Sequence, residues 1–154
     1  MAKMTAETLA QFKEELRYRK DEGRREVVSK IQEARAFGDL SENYEYKTAL
    51  EEQTKNDARI AELEGIITTS EVYVPVKGSD KVVLGSVVTV EDIDTGKISE
   101  YEMVGIYESD PNATPKKISN ESPLGQVFMN AEVDDEVEFV RGGKTTTYTI
   151  VKIK

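Results

Sequence analysis

The sequence predicts an α+β protein: a long antiparallel helical hairpin followed by a small, mostly antiparallel β domain with one short helix. Three observations predict it. Residues 5–36 contain no proline and carry apolar side chains at steps of three and four, and a second run from Tyr46 to Ile67 repeats that spacing. Beyond Val74-Pro75-Val76-Lys77-Gly78-Ser79 the composition turns to valine, threonine and tyrosine.

In the first run Leu9, Phe12, Leu16, Val27, Ile31 and Ala34 fall on one helical stripe. This predicts a single long helix, weakened at Gly23 and capped at its C-terminus by Gly38. In the second run Tyr46, Leu50, Gln53, Ile60, Leu63 and Ile67 form the matching stripe, with charged residues between them. The connection is short, so the helices must fold back on each other, each stripe burying the other. Thirty or so helical residues extend on the order of 45 Å. That exceeds what burial alone requires and suits a part that reaches. The hairpin is assigned to residues 1–75 and the second domain to 80–154.

In the second domain the strands are legible as VVLGSVVTV, ISEYEMVGIY, DEVEFV and TTTYTIVKI. Hairpin turns are expected at Asp94-Thr95-Gly96-Lys97 and Arg141-Gly142-Gly143-Lys144. Between the second and third strands, the stretch from Pro123 to Met129 predicts a short helix that starts at its proline.

Composition narrows the chemistry. The 154 residues include no cysteine and no histidine, which excludes disulfides, thiolate and imidazole metal sites, and nucleophilic triads. Oxygen ligands and carboxylates must carry any chemistry. The net charge is −9, −4 from residues 1–76 and −5 from 77–154, so neither half is a basic module for duplex DNA. The amino terminus has no apolar core of signal-peptide length, and no stretch approaches the roughly 20 apolar residues that cross a bilayer. The expectation is a cytoplasmic protein with no membrane partner.

The turn between the helices, GDLSENYEYK, is acidic. Asp39 followed three residues later by Glu42 is close to a capping box for the second helix, and Glu45 suits the positive end of a helix dipole. A second reading keeps those roles and adds another. Residues three apart lie about 60° apart around a helix axis, so Asp39, Glu42 and Glu45 can share an edge at the tip. Two tip carboxylates cannot complete the coordination shell of Mg²⁺ alone, but they can donate to a metal held loosely in another protein's active site and help activate a water there. Arg24, Arg25, Lys30 and Arg35 load the first helix with positive charge toward the same end; a solvated face accounts for them, and Arg35, one turn from the acids, can also hold a phosphate.

These residues identify a family. The chain resembles the bacterial Gre transcript-cleavage factors nearly end to end, through EARAFGDLSENYEY, ARIAELE, VTVEDIDTG and ISNESPLGQVF in family order. GDLSEN together with SPLG at this separation carries the resemblance. It implies that the coiled-coil hairpin enters the secondary channel of RNA polymerase, where the tip acids help bind the second catalytic Mg²⁺. The polymerase then cleaves the 3′ end of the backtracked transcript and the arrested complex is rescued. By motif, Asp39 and Glu42 are the metal-assisting acids, acting on the ion only in the complex, with Ser41, Asn43 and Arg35 contacting RNA or polymerase. The second domain is expected to be FKBP-like and to anchor a monomeric factor on the β′ coiled coil through Glu121, Ser122, Pro123 and Leu124, although a capped helix start explains the same four residues. The protein needs no cofactor of its own beyond the Mg²⁺ it shares.

Two positions depart from the family pattern. Tyr44 stands where a small residue is common and Leu50 where a basic one is frequent, which thins the basic patch, with Lys47 as a replacement. The sparse patch points to the family branch with the narrower basic surface. Three rival functions remain open on sequence: a Gre-like inhibitor of the same channel, a prolyl isomerase built on the second domain, and a hairpin that only binds other helices. The isomerase needs an aromatic-walled pocket, for which Tyr101, Tyr107, Phe128, Phe139 and Tyr148 are the main rings available.

Overall fold

The computed structural model describes residues 2–36, 38 and 43–154. The chain divides into two compact units, Leu9–Ser70 and a second made of the residues before Leu9 with Glu71–Lys154.

The first unit is helical. Helix α1 (Ala6–Tyr18) leads into a π-helical turn, Arg19–Gly23, then α2 (Arg24–Arg35), and α3 (Tyr44–Thr69) returns. The expected single helix is therefore continuous in direction but interrupted in its hydrogen bonding at Arg19–Gly23. Ion pairs step in opposite senses along the two arms, Glu15 with Arg59 (2.9 Å), Arg24 with Asp57 (3.6 Å) and Lys30 with Glu52 (3.0 Å), which fixes the arms as antiparallel. At about 1.5 Å per residue, the 26 residues of α3 extend about 39 Å.

The buried stripe corrects the expected one. Ile31, Ala34, Ile60 and Leu63 are buried as expected, but Ala49 takes the inward place on α3 and Leu50 is exposed. Seven-residue steps link Ala49, Asn56 and Leu63, so the inward phase passes through a buried asparagine and leaves Leu50 one residue out of it.

The second unit carries the sheet. A pair of two-residue strands, β1 (Lys3–Met4) and β2 (Glu71–Val72), runs parallel. The main sheet contains β3 (Val87–Asp92), β4 (Ile98–Val104), β5 (Lys116–Ser119), β6 (Glu136–Arg141) and β7 (Lys144–Ile153) in the order β5-β4-β3-β7-β6. Three of its pairings are antiparallel and β4 with β5 is parallel; β5 is not among the four strands legible in the sequence. Strand β3 starts at Val87 rather than Val82, because Gly85 has φ near +100° and Val76, Val82 and Gly85 hydrogen-bond outside the ladder. Arg141 and Lys144 pair across a two-residue turn in which Gly142 and Gly143 both have positive φ, as a type I′ hairpin requires.

Helix α4 (Pro123–Phe128) closes one face of the sheet. The core there is Val82, Val88, Val90, Met103, Phe128, Ala131 and Ile150. Tyr101 and Tyr148 pack against the Phe128 ring, each with centroids 5.6 Å away, so these rings fill the core of the domain. Among the described residues no helix is long and apolar enough to cross a membrane.

Candidate functional site

The end of the hairpin is built by Asn43. Its backbone is extended, and its side-chain oxygen accepts the Tyr46 N–H at 3.0 Å, which makes Asn43 the N-cap of α3. Its side-chain nitrogen donates to the Ala34 carbonyl at 2.6 Å, tying the start of α3 to the last turn of α2. One amide thus satisfies a free donor of one helix and an acceptor of the other.

This corrects two expectations. The helix cap is Asn43, where Asp39 with Glu42 had been expected to provide it. The helical phase that would align Glu45 with Glu42 and Asp39 begins only after Asn43, because its ψ near 99° lies outside the helical region. Asp39, Ser41 and Glu42 themselves lie outside the described residues. Glu45 sits in the first turn of α3, where the helix dipole favours it. Gly38 has φ near +99° and donates to the Arg35 carbonyl at 3.3 Å; the helix C-cap is Ala36, two residues earlier.

Most of the expected basic face is spent on internal pairs. Arg24 faces Asp57 at 3.6 Å, Arg25 pairs with Asp21 and Lys30 with Glu52. Arg35 is different: its guanidinium lies 5.8 Å from the centre of the Tyr46 ring, a cation–π contact that orients the charge without neutralising it. Arg35 and Asn43 are therefore brought together, at the ends of α2 and α3 that flank the turn.

Farther along the hairpin, Glu15 receives Arg59 and Arg19 at 2.7–3.0 Å, and their hydrogen bonds, Arg59 first, hold its carboxyl down at about 2. Asn56 joins this cluster through Arg19. The sequence reading missed Asn56; the signal that finds it is the seven-residue spacing from Ala49 to Leu63.

In the other unit the stretch Glu121–Leu124 forms the entrance of α4. Ser122 is the N-cap: its hydroxyl accepts the Gly125 N–H at 3.0 Å and donates to the Ser119 carbonyl at 2.7 Å, with Pro123 at the first helical position. Glu121 donates its N–H to the Ser119 hydroxyl at 3.0 Å. Glu121 and Pro123 are exposed, whereas Leu124 turns inward and packs on the core. The capped helix start is thus real, and it presents Glu121 and Pro123 to the outside.

One more cluster was not legible in the sequence. Glu108 accepts hydrogen bonds from the Thr5 N–H (2.9 Å), the Thr5 and Thr8 hydroxyls (2.6 and 2.7 Å), the Tyr73 hydroxyl (2.5 Å) and the Gly105 N–H (3.2 Å). Burial opposes its ionisation, but the donors from Thr5, Tyr73 and Thr8 outweigh it and bring the carboxyl to about 2. Burial and the same contact push the Tyr73 hydroxyl well above its ordinary value. The Glu108 cluster fastens the N-terminal segment and the chain following β2 to the sheet domain. Among the described residues no group of acidic side chains could hold a metal ion.

Comparison with known proteins agrees with this division. Residues 2–72 match the family model described as "Transcription elongation factor, N-terminal", and residues 77–154 match "Transcription elongation factor, GreA/GreB, C-term". The chain is 42 % identical over 151 residues to transcription elongation factor GreA of Magnetococcus marinus, covering 97 % of this chain and 95 % of that one. It is 41 % identical over 150 residues to transcription elongation factor GreA of Bacillus subtilis, covering 97 % and 94 %. Among solved structures, that of GreA factor homolog 1 of Thermus thermophilus is 27 % identical, covering 99 % of this chain and 98 % of that one, with a TM-score of 0.44.

Proposed function

The chain belongs to the GreA/GreB transcription elongation factor family, and on that premise we propose that it makes RNA polymerase cut the 3′ end of its own backtracked transcript, rescuing arrested complexes. The observation that carries this reading is the family match over two successive segments, 2–72 and 77–154, with GDLSEN inside the first and SPLG inside the second. The inhibitory alternative is not favoured, since the relatives at 41–42 % identity are named as elongation factors.

In this reading the hairpin enters the secondary channel of the polymerase, and Asp39 and Glu42 donate carboxylate oxygens to Mg²⁺ in its active site. The donor set fits a hard cation: carboxylates, in a chain without histidine or cysteine. When bound there, the ion polarises the phosphodiester and activates water. This chain's own residues position. Asn43 fixes where α3 begins, Arg35, oriented by the Tyr46 ring, offers its charge to a phosphate, and Ser41 is assigned with them to contact RNA or polymerase. The entrance of α4 docks on the β′ coiled coil through exposed Glu121 and Pro123, while Ser122 caps and Leu124 anchors the loop from inside.

The factor is an accessory and not a nuclease. Two carboxylates without a closed cavity or a further charge-stabilising group cannot hold Mg²⁺ tightly or align a phosphodiester, and the channel supplies both. Purified protein should leave free RNA intact, and added to a halted, backtracked elongation complex it should release short 3′ fragments in a Mg²⁺-dependent reaction. Full activity in the Asp39→Asn, Glu42→Gln double variant would falsify the assigned roles.

A further inference from the structure

Tyr44 occupies the first position of α3 and is 80 % exposed, more than any other large apolar side chain among the described residues. A first helical position asks only for a residue whose N–H can go unpaired within the helix. The first helical position does not call for an aromatic ring, and among the described residues Tyr44 has no hydrogen bond through its hydroxyl. Its base is nevertheless rigid, because the neighbouring Asn43 is bonded to both Ala34 and Tyr46.

Beside the ring runs an open groove of about 420 Å³ whose floor is Ala34 and Ala49. Three glutamates and one lysine rim it, and that lysine, Lys30, is already paired with Glu52 at 3.0 Å. Such a rim repels phosphate. It accepts a flat, neutral group that carries N–H donors on its edge, which describes a nucleobase rather than a nucleotide backbone.

We propose that Tyr44 is a stacking platform for a base at the 3′ end of the backtracked RNA. This rests on the reading that Asp39 and Glu42 act at that end. Residues two apart are at most about 7 Å apart between Cα atoms, so the Tyr44 ring lies within reach of whatever Glu42 serves. Phosphate and metal then fall to Arg35 and the acids, and the base falls to Tyr44. Every base has a face to stack, so the platform tolerates all four, and the larger face of a purine binds more strongly.

The test is transcript cleavage by halted, backtracked elongation complexes whose RNA ends in a purine or in a pyrimidine. Wild-type protein, Tyr44→Phe, Tyr44→Trp, Tyr44→Ala and Asp39→Asn are compared, with helical content checked by circular dichroism. The Phe and Trp variants should keep wild-type cleavage. The Ala variant should lose about 5- to 150-fold on purine ends, the range that aromatic–base stacking carries, and less on pyrimidine ends, so that the purine preference shrinks. Wild-type behaviour of Tyr44→Ala alongside an inactive Asp39→Asn overturns the stacking role alone. A loss equal on every base also overturns it, because the ring would then be touching polymerase protein. Full cleavage by Asp39→Asn removes the reading of the tip and the platform with it.

Discussion

Asn56 and Arg19 exchange hydrogen bonds in both directions across the helical hairpin. The Asn56 side-chain nitrogen donates to the Arg19 carbonyl at 3.1 Å, and the Asn56 oxygen accepts from the Arg19 guanidinium at 3.2 Å. Arg19 opens the π-helical turn, so the buried amide binds a carbonyl in a stretch where the regular α-helical ladder is broken. A buried polar residue that pairs with one partner on the facing helix selects one register of the hairpin over its neighbours. Register matters here because it sets which residues of α2 and α3 arrive together at the turn.

Asn56→Ala should therefore lower the stability of the hairpin by about 2 kcal/mol, since it removes both hydrogen bonds with Arg19, which is itself half-buried. Urea unfolding followed by far-ultraviolet circular dichroism measures this. Gly23→Ala, four residues along the same turn, should do the opposite. A Cβ there would meet the Tyr18 carbonyl oxygen at 3.4 Å and the Asn56 oxygen at 3.5 Å, ordinary contact distances, and Gly23 has helical backbone angles. The gain expected from helix propensity is about 0.5–1 kcal/mol. A loss of stability in Gly23→Ala would show that the π turn needs glycine.

Glu108 gives the protein an acid-sensitive fastening. Its carboxyl sits at about 2 against an ordinary value of 4.5, a depressed folded-state value. The stability it contributes is complete above about pH 4.5 and is lost as the pH falls through about 2. Glu108→Gln keeps the shape but not the charge that five donors address. It should cost about 3 kcal/mol at pH 7 and flatten the fall in unfolding midpoint between pH 4.5 and pH 2. Glu15 has a similarly depressed carboxyl and contributes its own acid limb, so the comparison is of slopes between the two proteins. Identical slopes would remove Glu108 from the account.

The entrance of α4 tolerates no side chain at Gly125. A Cβ there would overlap the Ser119 carbonyl oxygen and lie 2.9 Å from the Ser122 hydroxyl, both fixed by the cap. Gly125→Ala should destabilise the sheet domain by about 3 kcal/mol or more, because backbone must move to admit it. Binding to polymerase, assayed by co-sedimentation at a temperature where the domain stays folded, should weaken with it. Unchanged binding would move the docking surface away from Glu121–Leu124.

Much of the architecture was legible in the sequence, for identifiable reasons. The two helical runs have period and length enough to outweigh any alternative, and Gly142-Gly143 and Ser122-Pro123 are turn and cap signals that act locally. The misses follow from non-local causes. Strand β5, Lys116–Ser119, is four residues long with two lysines, and it is a strand only because β4 offers it a parallel edge. Asn56 is polar and belongs to neither apolar stripe, and its burial depends on a partner 37 residues away. The Glu108 cluster joins Thr5 to a residue 103 positions distant, beyond the reach of any periodicity. At the site, the family resemblance marked Arg35 and Asn43 as contacts for RNA or polymerase, but the cap role of Asn43 came from the structure.

That cap can be divided into its two halves by substitution. Asn43→Asp keeps an oxygen to accept the Tyr46 N–H, and adds a negative charge at the positive end of α3, but it loses the donor to the Ala34 carbonyl. Asn43→Ala loses both contacts and should cost about 1–2 kcal/mol, with the Asp variant in between. If the tie from Asn43 to Ala34 sets where the acidic turn sits, both variants should slow transcript cleavage at saturating factor while leaving polymerase affinity unchanged. Saturation matters, because a weaker fold lowers the amount bound whereas a misplaced turn lowers the rate of the bound complex. Wild-type cleavage by Asn43→Asp at saturation would mean that capping alone suffices and that the contact between the two helices contributes only to stability.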